Sequence, residues 1–341
     1  MNRRILLVRR PQGMPVPEDF RIEAAPIPEP ADGQFLVRAH YLSVDPLQRV
    51  RMNESSTYGA TIPLGTPVWG RMVGKVVASR HPAHAVGSFV EGMLGWQEYA
   101  LSDGSSAKAE YAPGVTPVDP ALAPISTALG ILGMPGLTAY FGLLALGQPQ
   151  PGETVVVSAA AGTVGSLAGQ IARIKGCRVI GVVGSPAKAA HIVDELGFDA
   201  AIDYRAEPDI AARLRRLAPA GVDVYMDNVG GAIRDAVMAH LRRGARIPLI
   251  GRISQMHQAQ PMSRDPQVAL MHARARMEGF IVYDWVDRAA EAHAAIAGWL
   301  REGRLTYRET IHDGLENTVP AFISMMQGGN LGKALVRLSP P

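Results

Sequence analysis

One cysteine, Cys177, stands in 341 residues, which excludes an internal disulfide and any all-cysteine zinc site and fits a reducing cytosol. Nine histidines are present, but none shows ligand spacing. His81 and His84 sit in a proline-containing loop without a cysteine partner. No apolar run reaches the length of a membrane span, and the N-terminus lacks the apolar stretch of a signal peptide. Strong charge of one sign is missing too: the net charge is +3 and the pI about 9.1. Arg3-Arg4 and Arg9-Arg10 flank a single short strand, too little for a nucleic-acid-binding stripe. There is no solenoid repeat and no low-complexity segment. What remains, 47% hydrophobic and 19% charged residues, is ordinary for an α/β protein long enough for two domains. The expectation is a cytoplasmic protein with neither nucleic-acid nor membrane partners.

The chain is organised around Pro151 to Lys188. Thr154–Ala160 is a short apolar, β-branched run after a Pro-Gly turn, and reads as a buried strand. It runs into Ala160-x-Gly162-x-x-Gly165 and then into Ser166–Lys175, whose apolar residues recur at helical spacing. Strand, glycine turn and helix in that order are the context of a dinucleotide fingerprint. Gly162 admits a pyrophosphate close to the backbone, Gly165 lets the helix pack on the strand, and the helix N-terminus offers free N–H groups. Ala160 replaces the first glycine, which weakens the motif taken alone. A second strand, Cys177–Val183, completes a βαβ unit. An NAD site places an acid at the end of that strand to hold the ribose 2′-hydroxyl. Here the chain reads Gly184-Ser185-Pro186-Ala187-Lys188, a small hydroxyl and a cation with no acid. That combination suits a 2′-phosphate, so the expected cofactor is NADPH. The plainer alternative is that Ser185 only caps the next helix and Lys188 lies on its solvated face.

Residues 1–126 read as a β-rich domain of short strands (Arg4–Val8, Phe35–Leu42, Gly74–Ser79, Gly95–Leu101) between Pro- and Gly-rich turns. Tyr58, in a loop bounded by Gly and Pro, is the best candidate there for facing a substrate. An apolar helix broken near Met134-Pro135-Gly136 marks a hinge. Residues 127–303 alternate strand and helix into a six-stranded doubly wound sheet, ending with a strand at Gly279–Tyr283 and a helix from Asp287 to Glu302. Ligands in such sheets sit at the carboxyl ends of the strands, which directs attention to Tyr204, Asn228, Gly251–Met256 and Phe280–Val282. Residues 304–341 return to short strands and turns and are expected to rejoin the β-rich domain.

With these residues assembled, the sequence resembles a zinc-independent medium-chain dehydrogenase/reductase. More narrowly, it resembles the group of leukotriene/prostaglandin reductases, plant alkenal double-bond reductases and bacterial curcumin reductases. The resemblance covers almost the whole chain. It rests on YLSVDP (41–46), GRMVGKVV (70–77), MPGLTAYFGLL (134–144), VVSAAAGTVGS (156–166), DNVGG (227–231), ISQ (253–255), EGFIV (278–282) and NLGK (330–333). The implied fold is a GroES-like β-rich domain carrying the active site, plus a Rossmann domain. The resemblance implies that the pyrophosphate lies over Gly162, Thr163, Val164 and Gly165, and that Lys188, Tyr204 and Ser185 meet the 2′-phosphate. Asn228 contacts the cofactor. Ile250, Gly251, Ile253 and Ser254, together with Phe280, Ile281 and Val282, flank the nicotinamide half, and Asn330 reaches in from the tail. A homodimer is implied as well.

Two departures from the family stand out. Met256 occupies the position of the family's ribose-binding tyrosine, a proposed proton donor, and His257 follows where asparagine is usual. Leu47-Gln48-Arg49 follows YLSVDP where the family often has an aromatic and a methionine. Gly70-Arg71-Met72 stands where metal-dependent relatives have Gly-His-Glu, so no metal is expected. The implied activity is NADPH-dependent reduction of the carbon–carbon double bond of an α,β-unsaturated carbonyl compound, with Met256 at the tyrosine position and Tyr58 or His257 as possible proton donors. Quinone reduction, hydroxyl dehydrogenation and a non-catalytic NADPH sensor are the alternatives, the last favoured only by Met256.

Overall fold

A computed structural model of the chain describes residues 1–56, 59–105, 114–256 and 264–339. The backbone divides into two compact units, residues 1–130 with 309–341, and residues 131–308. The expected boundaries, 126/127 and 303/304, lie slightly upstream. Ile125 and Leu129 pack with Tyr41, Val73 and Leu335 of the first unit. At the other boundary Gln170 exchanges two hydrogen bonds with the Thr306 backbone, at 2.9 and 3.0 Å, which keeps that segment with the second unit.

In the first unit β1 (Asn2–Leu7) and β2 (Phe20–Ala25) form an antiparallel ribbon. A larger sheet is built from β3 (Phe35–Ser43), β4 (Met72–Ser79), β5 (Phe89–Gly92), β6 (Tyr99–Ser102) and β7 (Thr116–Val118). Asp45 caps a short helix, α1 (Pro46–Arg51), just after β3. No helix was expected there, although an acid followed by proline is a helix-start signal. Trp96, placed in a strand by its sequence context, precedes β6 and is wholly buried, 5.4 Å from the Phe322 ring.

The second unit opens with α2 (Met134–Phe141), which Pro135 starts rather than breaks, continued by a π-type turn over Gly142–Gly147. Its sheet contains β8 (Thr154–Ser158), β9 (Arg178–Val183), β10 (Ala200–Asp203), β11 (Val222–Met226), β12 (Leu241–Leu249) and β13 (Arg276–Gly279). The spatial order is β10-β9-β8-β11-β12-β13, with every pair parallel. That is the dinucleotide-binding order of a Rossmann domain. The connecting helices are α3 (Thr163–Ile174), α4 (Pro186–Ala190), α5 (Ile210–Leu217), α6 (Gly231–Met238), α7 (Gln267–Ala273) and α8 (Ala289–Arg301). The last strand differs from expectation: β13 ends at Gly279, and Val282–Arg288 is a 3-10 turn. As an edge strand it carries Arg276 and Glu278, charges that discourage pairing with another chain and disguise it in sequence.

The tail supplies β14 (Glu309–Asp313), α9 (Thr318–Met326) and β15 (Lys333–Arg337), giving the seven-stranded sheet the path β14-β15-β3-β4-β5-β7, with β6 on β3. Helix α9 was read as turns because Pro320 and Gly328-Gly329 punctuate it. Its buried Val319, Phe322, Met325 and Met326 nevertheless follow the helical period. Among the described residues, no helix is long and apolar enough to cross a membrane.

Gly169 tests the packing between α3 and the Rossmann core. A Cβ there would fall 1.9 Å from Cζ of buried Phe198. Gly169→Ala should therefore cost ~1–3 kcal/mol by overpacking. Gly169→Ala combined with Phe198→Leu should recover most of the loss in urea unfolding, whereas equal losses in both would contradict this packing.

Candidate functional site

The carboxyl ends of β8, β9, β11 and β12 carry the polar chemistry of the second unit. After β8 the chain passes through Ala159 in the left-handed region, at φ 50°, and re-enters helix with Gly162 as N-cap. A Cβ on Gly165 would lie 2.4 Å from the Ala159 carbonyl oxygen, so only glycine lets α3 begin so close to the strand. Ala160 is accommodated because Gly181 on β9 leaves room: a Cβ on Gly181 would meet the Ala160 methyl at 2.8 Å. Gly162 offers no capping side chain. The N–H groups of Thr163, Val164 and Gly165, which helix geometry leaves without intrahelical acceptors, form with the positive helix end a cradle for an anion.

At the end of β9 the Tyr204 phenol lies across Gly184; a Cβ there would meet its Oη at 2.7 Å. Ser185 is a helix cap: its Oγ accepts the Lys188 N–H at 3.3 Å. Lys188 is half-buried, not on a solvated face. Burial, then the charge of Arg205, lowers its ammonium pKa. The Arg205 guanidinium sits 5.9 Å from the Tyr204 ring centroid. Arg205 beside Tyr204 and Lys188 on the helix that Ser185 caps thus bring two cations to the region where an NAD site would hold an acid. Arg205 was missed from the sequence, where it reads as an ordinary turn residue after Tyr204.

The ends of β11 and β12 are tied by Asp227. Its Oδ1 accepts from the Tyr225 hydroxyl (3.0 Å) and from the N–H groups of Val229 (3.1 Å) and Gly230 (2.8 Å). Its carbonyl accepts the N–H groups of Ile250 (2.9 Å) and Gly251 (3.0 Å). Asn228 is clamped next to it, donating from Nδ2 to the Ser158 carbonyl at 2.8 Å and from its backbone N–H to Ser158 Oγ at 2.9 Å. The Val229 carbonyl accepts from Ser254 Oγ at 2.7 Å and from the Ser254 N–H at 3.3 Å, while the Ile253 N–H reaches the Asn228 carbonyl at 3.4 Å. The DNVGG and ISQ segments are therefore one bonded assembly. Met256 ends the single 3-10 turn Ile253–Gln255 and is half-buried.

Phe280 donates its N–H to the Leu249 carbonyl at 3.1 Å. Its ring stacks on Trp285, which stacks on Phe141 at 5.0 Å, under the Arg288 guanidinium. Ile281 is exposed and Val282 half-buried. Burial pushes the Cys177 thiol up to about 11, which leaves it no thiolate nucleophile near neutral pH.

In the first unit Asn330 donates from Nδ2 to the Gly332 carbonyl at 2.7 Å. Arg71 makes a buried two-point ion pair with Glu91. Tyr58 and His257 lie outside the described residues. Among those described, no three His, Cys, Asp or Glu side chains gather as a metal site, and a guanidinium locked to a carboxylate does not fit a zinc ligand set.

Fold and site define a two-domain, dinucleotide-dependent oxidoreductase. The chain belongs to the medium-chain dehydrogenase/reductase family, in the group of curcumin and prostaglandin reductases. A model described as the N-terminal domain of oxidoreductase matches residues 3–109, and one described as zinc-binding dehydrogenase matches residues 163–298. The chain is 47% identical to a putative NADP-dependent oxidoreductase, YfmJ, of Bacillus subtilis, over 100% of its length and 98% of the relative. It is 42% identical to the NADPH-dependent curcumin reductase of Escherichia coli, covering 99% and 97%. Rat (Rattus norvegicus) prostaglandin reductase 1 is 38% identical, with 96% of each chain covered. The crystal structure of CurA in complex with NADPH from Vibrio vulnificus superposes with a TM-score of 0.92 at 42% identity, covering 99% of this chain and 100% of that one.

The Asp227 tie has a measurable consequence. Burial raises its carboxyl pKa above the ordinary carboxylate range. A raised folded pKa means that the native state holds the proton more tightly. That contribution to stability is full below the unfolded value and is lost as pH rises through the folded one. Asp227→Asn keeps an acceptor and should cost about 1 kcal/mol or less near neutral pH, whereas Asp227→Ala strips three donors and should cost about 3 kcal/mol. Urea unfolding at several pH values checks both. Equal losses in the two variants would show that the accepted bonds do not hold the loops.

Proposed function

We propose that the chain is an NADPH-dependent reductase of the carbon–carbon double bond of α,β-unsaturated aldehydes and ketones, working without metal. The observation that carries the cofactor choice is the meeting of Lys188 and Arg205 beside Tyr204, with no acid in Gly184–Lys188. A doubly charged 2′-phosphate would offset both the burial and the Arg205 charge that lower the Lys188 pKa. The names of the curcumin and prostaglandin reductases support the substrate class.

When bound, NADPH supplies a hydride to the β-carbon, and the substrate passes through an enolate before its α-carbon takes a proton. The chain's own residues hold and orient. Thr163, Val164 and Gly165 receive the pyrophosphate on their N–H groups. Lys188, Tyr204, Ser185 and Arg205 form the 2′-phosphate end. Asn228, with Nδ2 committed to Ser158, turns its amide oxygen to the cofactor as an acceptor that adds no charge. Ile250–Ser254 and Phe280–Val282 line the nicotinamide half, held by the Asp227 tie and the Phe280–Trp285–Phe141 stack. Asn330, in the first unit, is the remaining residue to which the family resemblance gives a cofactor role. Hydrogen-bond donors suffice to stabilise an enolate, so no Lewis acid is required. Met256 cannot give a proton, which leaves solvent as the source, with Tyr58 and His257 as the side chains to test. The working form in this reading is a cytoplasmic homodimer.

The direct test is NADPH oxidation against enals, enones, quinones and nitroalkenes. Saturated carbonyl products are expected. Turnover of quinones alone, or binding of NADPH without oxidation, would replace this reading with a quinone reductase or a sensor.

Two sets of variants probe the ends of the cofactor. Lys188→Ala should weaken NADPH by roughly 1.5–3 kcal/mol, and exposed Arg205→Ala by about 1 kcal/mol or less, with NADH nearly unaffected. Equal losses for both cofactors in a fluorescence titration would make these residues structural. Met256→Tyr should tighten NADPH by a net hydrogen bond, on the order of 0.5–1.5 kcal/mol, without altering cofactor preference. An unchanged affinity with unchanged kinetics would mean that residue 256 does not face the nicotinamide.

A further inference from the structure

Lys333, the first residue of β15, is 4% exposed. Its Nζ donates to the Val44 carbonyl at 3.2 Å and to Asp45 Oδ1 at 2.6 Å. The other oxygen of Asp45 accepts from Ser43 Oγ. Asp45 caps α1 and donates its own N–H back to Gln48 Oε1. The Ser43 carbonyl accepts from Gln48 Nε2 at 3.2 Å and from Trp96 Nε1 at 3.1 Å, and the Ser43 N–H donates to the Arg71 carbonyl at 2.9 Å. The Ser43–Gln48 turn is thus pinned by its own helix, by the segments carrying Arg71 and Trp96, and by a cation from the returning tail.

Stability alone does not explain a lysine here. Taking a cation out of water is costly, and a well-packed apolar residue often does as well or better. Lys333 also faces Glu309, its register partner on β14. Burial raises the pKa of that carboxyl, opposed by a bond from Ser126 and by the Lys333 charge. Asp45 is the carboxylate in contact. What an ion pair supplies, and an apolar contact does not, is one fixed register between the tail and the turn. Helix α1 carries Leu47, Gln48 and Arg49, where the chain departs from the family, within the unit to which the resemblance assigns the active site.

We propose that Lys333 is a positioning residue: through Asp45 it sets the Ser43–Gln48 turn and the start of α1 for substrate binding. The kinetic arm rests on the reductase reading; the structural arm does not. The experiment compares Lys333→Met, Asp45→Asn and the double variant in the full chain. It reads melting temperature, amide exchange over residues 43–52, NADPH affinity, and kcat and KM for a small enone.

Lys333→Met is expected to speed exchange over 43–52 about tenfold and to raise the enone KM about tenfold, with NADPH affinity unchanged within about twofold. The double variant, in which neither Lys333 nor Asp45 leaves the other's charge unpaired, should regain melting temperature while exchange stays fast and KM stays high. Wild-type exchange and KM in the double variant would overturn the proposal, since Lys333 would then only balance the Asp45 charge. If Lys333→Met does not fold, Asp45→Asn, at a half-exposed site, carries the same comparison with the double. If the wild type turns over no unsaturated carbonyl, the reductase reading fails, and amide exchange alone decides the positioning role.

Discussion

Parallel strands end together but their following loops diverge, so a site at the strand ends needs something to hold those loops in register. In the second unit the tie is Asp227. One carboxylate oxygen takes three donors and the carbonyl two more, joining the turn after β11 to the turn after β12. Asn228, Ile250, Gly251, Ile253 and Ser254 all take their places from that knot. The raised carboxyl pKa of Asp227 is the cost of placing it under the site rather than in water. Met256, the residue that departs most from the family pattern, sits at the end of the same knot, so its replacement changes chemistry without loosening the scaffold.

The order of the sheet separates two properties of the site. In the proposed reading cofactor choice lies beyond β9, at Lys188, Tyr204 and Arg205, while the loops expected around the nicotinamide follow β11, β12 and β13. The central strand β8 and the start of α3 stand between, where the proposed reading puts the pyrophosphate. Changes at one end therefore need not propagate to the other.

Much of this was legible in the sequence, for physical reasons that also explain the misses. The Rossmann strands carry apolar, β-branched runs buried on both faces, and the glycine turn has one sterically permitted form, visible as the 2.4 Å approach at Gly165. Edge strand β13 was displaced in the reading because Arg276 and Glu278 hide it. Helix α9 was obscured by Pro320, and α1 by its length of under two turns, although its Asp45-Pro46 pair is a helix start. Arg205 escaped notice because its role depends on β10 lying beside β9, a relation that no local pattern contains. The contacts of Lys333 with Val44 and Asp45, nearly the whole chain away in sequence, were likewise invisible.

The most direct measurement of the central claim is the fate of label from NADPH deuterated at the transferable position, with a simple enone and product analysis by NMR. Deuterium at the β-carbon of a saturated ketone, with the α-hydrogen drawn from solvent, is the predicted result. Deuterium on the carbonyl carbon of an unsaturated alcohol would contradict the account and make the chain a hydroxyl dehydrogenase.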